Sequence, residues 1–237
     1  MVNNITELSL RDIESIIEVA TKEWLLRSKD SEKGSVILYD GSVISLLNFK
    51  PEHFNPEHCF NILPNINRYN GNTYITFSVG HHSLLCKEIA KMLFGPEAKI
   101  EQVCALIHDF PEGIIGDCIS PIKYLFPMLL FRLIDQNVTE KMLEAIGIKH
   151  LWKEEKVNLV DKLALSIEVH NLNRYYNLDI WKNYIFPIEE VKKIFRDHGS
   201  EYSDGLIDDV VNLEPRQVEV RLRNSYNSLM SKIKENK

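Results

Sequence analysis

Residues 103–117, Val-Cys-Ala-Leu-Ile-His-Asp-Phe-Pro-Glu-Gly-Ile-Ile-Gly-Asp, constrain this chain more than any other stretch. The apolar run Val103–Ile107 reads as the end of a buried helix, and it delivers His108 and Asp109 into the interior. Glu112 and Asp117 follow close behind. Ionisable groups in such a setting are costly to bury unless something pairs them. A divalent metal is a natural compensator, because imidazole nitrogen and carboxylate oxygen both ligate it. A His-Asp pair is common by chance, so the weight of this reading depends on ligands supplied from elsewhere in the fold.

Two other stretches supply them. Ser78 is a good N-cap, and the helix it starts carries His81 and His82 in its first turn. Backbone donors there suit a neutral, metal-binding imidazole better than a charged one; the plain alternative is a solvated histidine pair. Asp161 stands in the apolar helical run Leu159–Ile167, with Val157, Val160, Ala164 and Ile167 in its neighbourhood. A mid-helix aspartate in such surroundings needs a buried cation or a metal. Together His82, His108, Asp109 and Asp161 come from three predicted helices. They offer two nitrogens and two carboxylates to one divalent ion, with room left for water or a phosphate oxygen.

The rest of the chain predicts a mainly α fold. Leu10, Ile13, Ile17, Ala20, Trp24 and Leu25 give residues 6–28 a helical period, with Thr6 or Ser9 as cap. Val36–Tyr39 and Val43–Leu47 flank the turn dipeptide Asp40-Gly41, which predicts a small β-hairpin. Further helices are expected near 56–65, 81–94, 99–109, 128–146, 151–177, 188–197 and 215–234. Gly95-Pro96 separates the second of these from the third, and Pro187 follows the long helix.

With 28 basic and 34 acidic residues the formal charge is −6. That argues against a nucleic-acid-coating surface, which carries a basic patch, but leaves a small phosphorylated ligand open. Cys59, Cys86, Cys104 and Cys118 form no CxxC pair and read as reduced thiols of a cytoplasmic protein. No signal peptide is expected, and no apolar run approaches the ~20 residues of a membrane span.

The order His … His-Asp … Asp resembles the signature of HD-domain phosphohydrolases. Three blocks are similar to bacterial 5′-deoxynucleotidases and their phage relatives, some of which act on deoxynucleoside triphosphates. They are Asn65–Gly71, Ser78–Leu84, and Ala105–Asp109 continued through Glu112, Gly116-Asp117 and Ser120–Lys123. The likeness covers roughly residues 35–178. It implies an HD-domain helical bundle over that span, hairpin included, and is silent on the flanks, where the residue pattern predicts a helical extension over 1–34 and another over 179–237 packed on the core. It also implies that His82, His108, Asp109 and Asp161 bind one divalent ion (Mn, Co, Fe, Zn or Mg). His81 falls where relatives have Glu or Gln and is expected not to be a ligand. By the same likeness Glu112 is the catalytic acid–base residue and Asp117 a second acidic residue of the site. Arg68 meets the phosphate, Tyr69 lies near the base, and Lys123 meets phosphate as a point charge.

The expected activity is hydrolysis of deoxynucleoside 5′-monophosphates. The alternatives are a dATP-type triphosphohydrolase releasing tripolyphosphate and a catalytically silent nucleotide-binding module. The expected partners are a deoxynucleotide and a second copy of the chain, with neither a membrane nor a nucleic-acid polymer.

Overall fold

The computed structural model describes residues 9–28, 34–118, 122, 129–172 and 181–235. In chain order its main elements are α1 (Leu10–Arg27), β1 (Ser35–Ile37), β2 (Val43–Ser45), α2 (Pro56–Ile62), α3 (Val79–Phe94), α4 (Lys99–Ile107), α5 (Glu112–Ile115), α6 (Leu129–Ile146), α7 (Glu154–Leu172), α8 (Ile188–Asp197), α9 (Gly205–Val211) and α10 (Pro215–Glu235). The fold is mainly α with a small hairpin, as the periodicities predict. The chain divides into two compact units, one of residues 1–54 and 118–146, the other of residues 55–117 and 147–237.

The first unit holds α1, the hairpin and α6. Ser9 caps α1: its hydroxyl accepts from the Asp12 backbone N–H at 3.2 Å, and its own N–H donates to the Asp12 carboxylate at 3.1 Å. β1 and β2 pair antiparallel with Val36 opposite Ile44. Both strands are shorter than the sequence pattern suggests. Asp40 Oδ1 accepts from the Ser42 N–H at 2.9 Å, and Gly41 takes the left-handed φ of 82° that the turn requires. Leu38 and Ser42 therefore belong to the turn, while Leu46–Asn48 winds into a 3₁₀ helix.

The second unit is built around α3. Every residue of its first two turns, Val79 to Cys86, is buried. A helix buried on all sides in this way must be surrounded by others. Here α4, α7 and α10 pack against it, and Leu85, Ile89, Leu106, Ile107, Leu163, Ile167, Val218 and Leu222 form the shared core. The consequence for function is that His82, on α3, is held inside the bundle.

Gly80 permits this packing. A Cβ there would lie 2.7 Å from Val218 Cγ1, 3.1 Å from the Pro64 backbone nitrogen and 3.3 Å from Leu222 Cδ1. Gly80→Ala should therefore force α10 away from α3 and cost about 1–3 kcal/mol by overpacking. A lower denaturant midpoint at unchanged m-value would show it; an unchanged midpoint would mean α10 yields freely.

Candidate metal centre

Three helices of the second unit bring the predicted ligands together. Ser78 starts α3 as the sequence suggests: its hydroxyl accepts from the His81 N–H at 3.3 Å, and its N–H donates to His81 Nδ1 at 3.0 Å. This reciprocal box fixes His81 away from the cluster, with Nε2 at 3.0 Å from the Leu213 carbonyl. His82, one residue on, is turned about 100° around the helix and points to α4 and α7. α4 ends at Ile107, so His108 and Asp109 leave the helix at the same place. Asp161 reaches the cluster from α7.

The distances suit one shared ion. His82 Nε2 lies 3.2 Å from His108 Nε2, 3.1 Å from Asp161 Oδ1 and 3.3 Å from Asp109 Oδ2. His108 Nε2 lies 3.4 Å from Asp109 Oδ1 and 3.7 Å from Asp161 Oδ1. Ligands about 2.1 Å from a common centre sit roughly 3.0–3.4 Å apart, in octahedral or tetrahedral arrangement. The outer nitrogens are also set for coordination. His108 Nδ1 donates to the Ala105 carbonyl at 2.8 Å, and His82 Nδ1 to Glu168 at 2.5 Å. Each ring therefore carries a proton on Nδ1 and turns Nε2 to the cluster.

Cys86 is a residue that sequence reasoning took for a core thiol. His82, Cys86, His108 and Asp161 offer donor atoms that all lie within 4.8 Å of one another, a set that could hold a metal ion. The signal was its spacing, one helical turn beyond His82. Its sulfur is 3.4 Å from His82 Nε2 and 4.0 Å from Nδ1. Those near-equal distances put it beside the ring rather than beyond the Nε2 edge. Burial also pushes the Cys86 thiol up to about 11 despite His82. Asp109, with carboxylate oxygens 3.3 Å from His82 Nε2 and 3.4 Å from His108 Nε2, is the other candidate for the fourth position.

Electrostatics reinforce the cluster. Burial alone would raise the carboxyl pKa of Asp109 and Asp161, but the two histidines outweigh it and hold both carboxyls below the usual range. Burial would likewise lower His82 and His108, yet Cys86, Glu168 and Asp161 hold His82, and Asp109 and Asp161 hold His108, above the ordinary imidazole value. The His82 side chain is 0% exposed, whereas that of Asp161 is 46% exposed. The cluster is closed behind His82 and open to solvent on the Asp161 side.

Arg68 and Tyr69 sit at its edge. Arg68 Nη1 is 3.5 Å from Asp109 Oδ2, and Nε donates to Glu168 at 3.1 Å. The Tyr69 hydroxyl donates to Glu168 at 2.7 Å, and its ring meets the edge of Trp181. Burial works against the Arg68 charge, but Glu168, Asp109 and Asp161 keep it firmly a cation. The segment that carries these residues is strained. Tyr69 and Asn70 both adopt left-handed backbone, with φ of 56° and 53°, a conformation that costs non-glycine residues on the order of 1–3 kcal/mol each.

The remaining expected residues are placed less directly. Glu112 is buried at the start of α5, where its N–H donates to the Asp109 carbonyl at 3.0 Å. His58 holds the same turn through the Gly113 carbonyl at 2.7 Å. Asp117 is half-buried just beyond Gly116. Lys123 lies outside the described residues. Cys59, Cys86, Cys104 and Cys118 are all free thiols. Among the described residues no helix is long and apolar enough to cross a membrane.

No family model matches the chain. Over 88 residues it is 32% identical to an uncharacterized protein of Rhodobacter capsulatus, a match that takes in 36% of this chain and 45% of that protein. The chain thus spans less than half the length of the curated relative it matches, and the likeness by itself carries no activity.

Proposed function

We propose that the chain is a metal-dependent phosphohydrolase of the HD-domain type that hydrolyses deoxynucleoside 5′-monophosphates. The observation that carries this reading is the convergence of His82, His108, Asp109 and Asp161 from three helices, with Arg68 against Asp109. A bound divalent ion supplies a nucleophile at neutral pH and neutralises phosphoryl charge. The chain's own residues account for the rest. Arg68 keeps its Nε on Glu168 and has further guanidinium donors to fork two phosphate oxygens. Glu112, one turn past Asp109, handles the proton that the leaving alkoxide needs. Asp117 is a second acidic residue on the substrate side, and Tyr69 borders the base.

Among the described residues Arg68 is the cation in contact with the cluster, which suits one phosphate rather than three. The test is incubation with each deoxynucleoside mono- and triphosphate in Mn²⁺, Co²⁺ or Mg²⁺. Inorganic phosphate from the monophosphates is expected. Tripolyphosphate release without monophosphate turnover would overturn the substrate assignment.

A further inference from the structure

We infer that Glu168 is the positioning residue that ties the metal centre to the phosphate-binding edge. It holds His82, Arg68 and Tyr69 in one fixed arrangement through a single carboxylate. The inference rests on the proposed metal-dependent hydrolysis for its purpose, and on geometry for its substance.

Glu168 lies two turns beyond Asp161 on α7, so both carboxylates lie on one face of that helix. Asp161 is at the open side of the cluster and Glu168 is behind it, 0% exposed. Three donors converge on Glu168. Oε1 accepts from His82 Nδ1 at 2.5 Å, and Oε2 accepts from Arg68 Nε at 3.1 Å and from the Tyr69 hydroxyl at 2.7 Å. Only an acceptor-only group satisfies three donors at one point. An ionised carboxylate does this, whereas an amide would present its own N–H₂ to one of them.

Each contact fixes something different. The bond to His82 Nδ1 keeps Nε2 aimed at Asp109, Asp161 and His108. The bond to Arg68 Nε sets the plane of the guanidinium and leaves its outer nitrogens toward the cluster. The bond to Tyr69 offsets the left-handed backbone at Tyr69 and Asn70, and so anchors the strained segment on which Arg68 is carried. A buried carboxylate placed only for stability would be a poor choice, since an apolar residue would avoid its desolvation. Its retention is explained by the three groups it orders.

Two measurements on the full chain test this. In ¹⁵N-labelled wild type, His82 Nδ1 should show a directly bonded, far-downfield proton, both metal-free and loaded with Zn²⁺. Glu168→Gln, nearly the same shape, should lose that resonance and bind Mn²⁺ about 10–100-fold more weakly by calorimetry, the usual cost of losing a metal ligand's own support. A thermal midpoint confirms that the variant is folded. A folded Glu168→Gln that keeps the resonance, or binds Mn²⁺ within twofold of wild type, overturns the inference. So does a wild type without the resonance, which needs no variant to observe. If wild type takes up no Mn²⁺ at all, the metal reading fails, and the resonance and its loss in Glu168→Gln decide the positioning role alone.

Discussion

Glu112→Gln should lower turnover of the preferred deoxynucleotide by about 10²–10⁴-fold while Mn²⁺ binding stays unchanged. Glu112 is 4% exposed and opens α5, with its backbone N–H on the Asp109 carbonyl and its own carbonyl accepting from the Gly116 N–H at 2.9 Å. Both bonds are made by the backbone, so glutamine preserves the turn. It also keeps the shape of the side chain, while replacing the ionisable carboxyl with a neutral amide that can neither take up nor give the proton. Burying a neutral amide is easier than burying a carboxylate, so stability should hold or rise as turnover falls. That split is the useful result, because a structural role would move both together. The loss should sit in kcat more than in KM, since the proton is needed only as the bond breaks. Wild-type turnover in a folded, metal-loaded Glu112→Gln would remove the residue from the chemistry. A pure, metal-loaded wild type with no turnover of any deoxynucleotide would favour the nucleotide-binding alternative.

How much of this site was legible in the sequence depended on how local each signal was. His108 and Asp109 are announced by the apolar run before them, and Asp161 by the apolar residues around it. The structure places their donor atoms together because buried helices have few ways to hide such groups. Glu168 carried the same signal as Asp161, a carboxylate between Ile167 and Val169 on the same helix. It was missed because its partners are 86 to 100 residues away in sequence, and only packing reveals them. Cys86 was hidden differently: a cysteine in an apolar helix reads as core, and only its one-turn offset from His82 hinted at more. The choice between His81 and His82 turns on helical phase, which the Ser78 cap sets and the Leu213 carbonyl completes.

Fold-level features follow the same division. Helical periods are local and located α3, α4 and α10 to within a few residues; of the helix expected over 151–177, residues 173–177 lie outside the described residues. The hairpin was visible from Asp40-Gly41, but its strand ends depend on hydrogen bonds across the turn. The division into units was not legible at all. Residues 118–146 group with the N-terminal segment, while 55–117 and 147–237 form the other unit. Linear boundaries cannot express such interleaving, because unit membership is decided by contacts and not by composition.

Removing the divalent ion should lower the thermal midpoint of the wild type, and His108→Ala should erase that response. The metal-free cluster sets Asp109, Asp161 and Glu168 against His82, His108 and Arg68, with both imidazoles pushed toward their charged forms. An ion that replaces those protons binds the folded arrangement and not the unfolded chain. At a hundred times its Kd such an ion stabilises by about 2.7 kcal/mol. In a chain of this size 1 kcal/mol moves the midpoint by roughly 2–4 °C, so loading the wild type with Mn²⁺ after chelation should raise it by about 5–11 °C. His108→Ala removes one ligand and also leaves the Ala105 carbonyl without the 2.8 Å bond from Nδ1. Its metal-free midpoint should therefore fall somewhat, and added Mn²⁺ should no longer raise it. His150→Ala, at an exposed position outside the cluster, should respond to Mn²⁺ as the wild type does. Equal midpoints for chelated and metal-loaded wild type, with metal content verified by elemental analysis, would show that the cluster is held by its ion pairs alone. An undiminished shift in His108→Ala would place the ion elsewhere on the chain. Because neither readout involves a nucleotide, the outcome separates the metal centre from the question of what it hydrolyses.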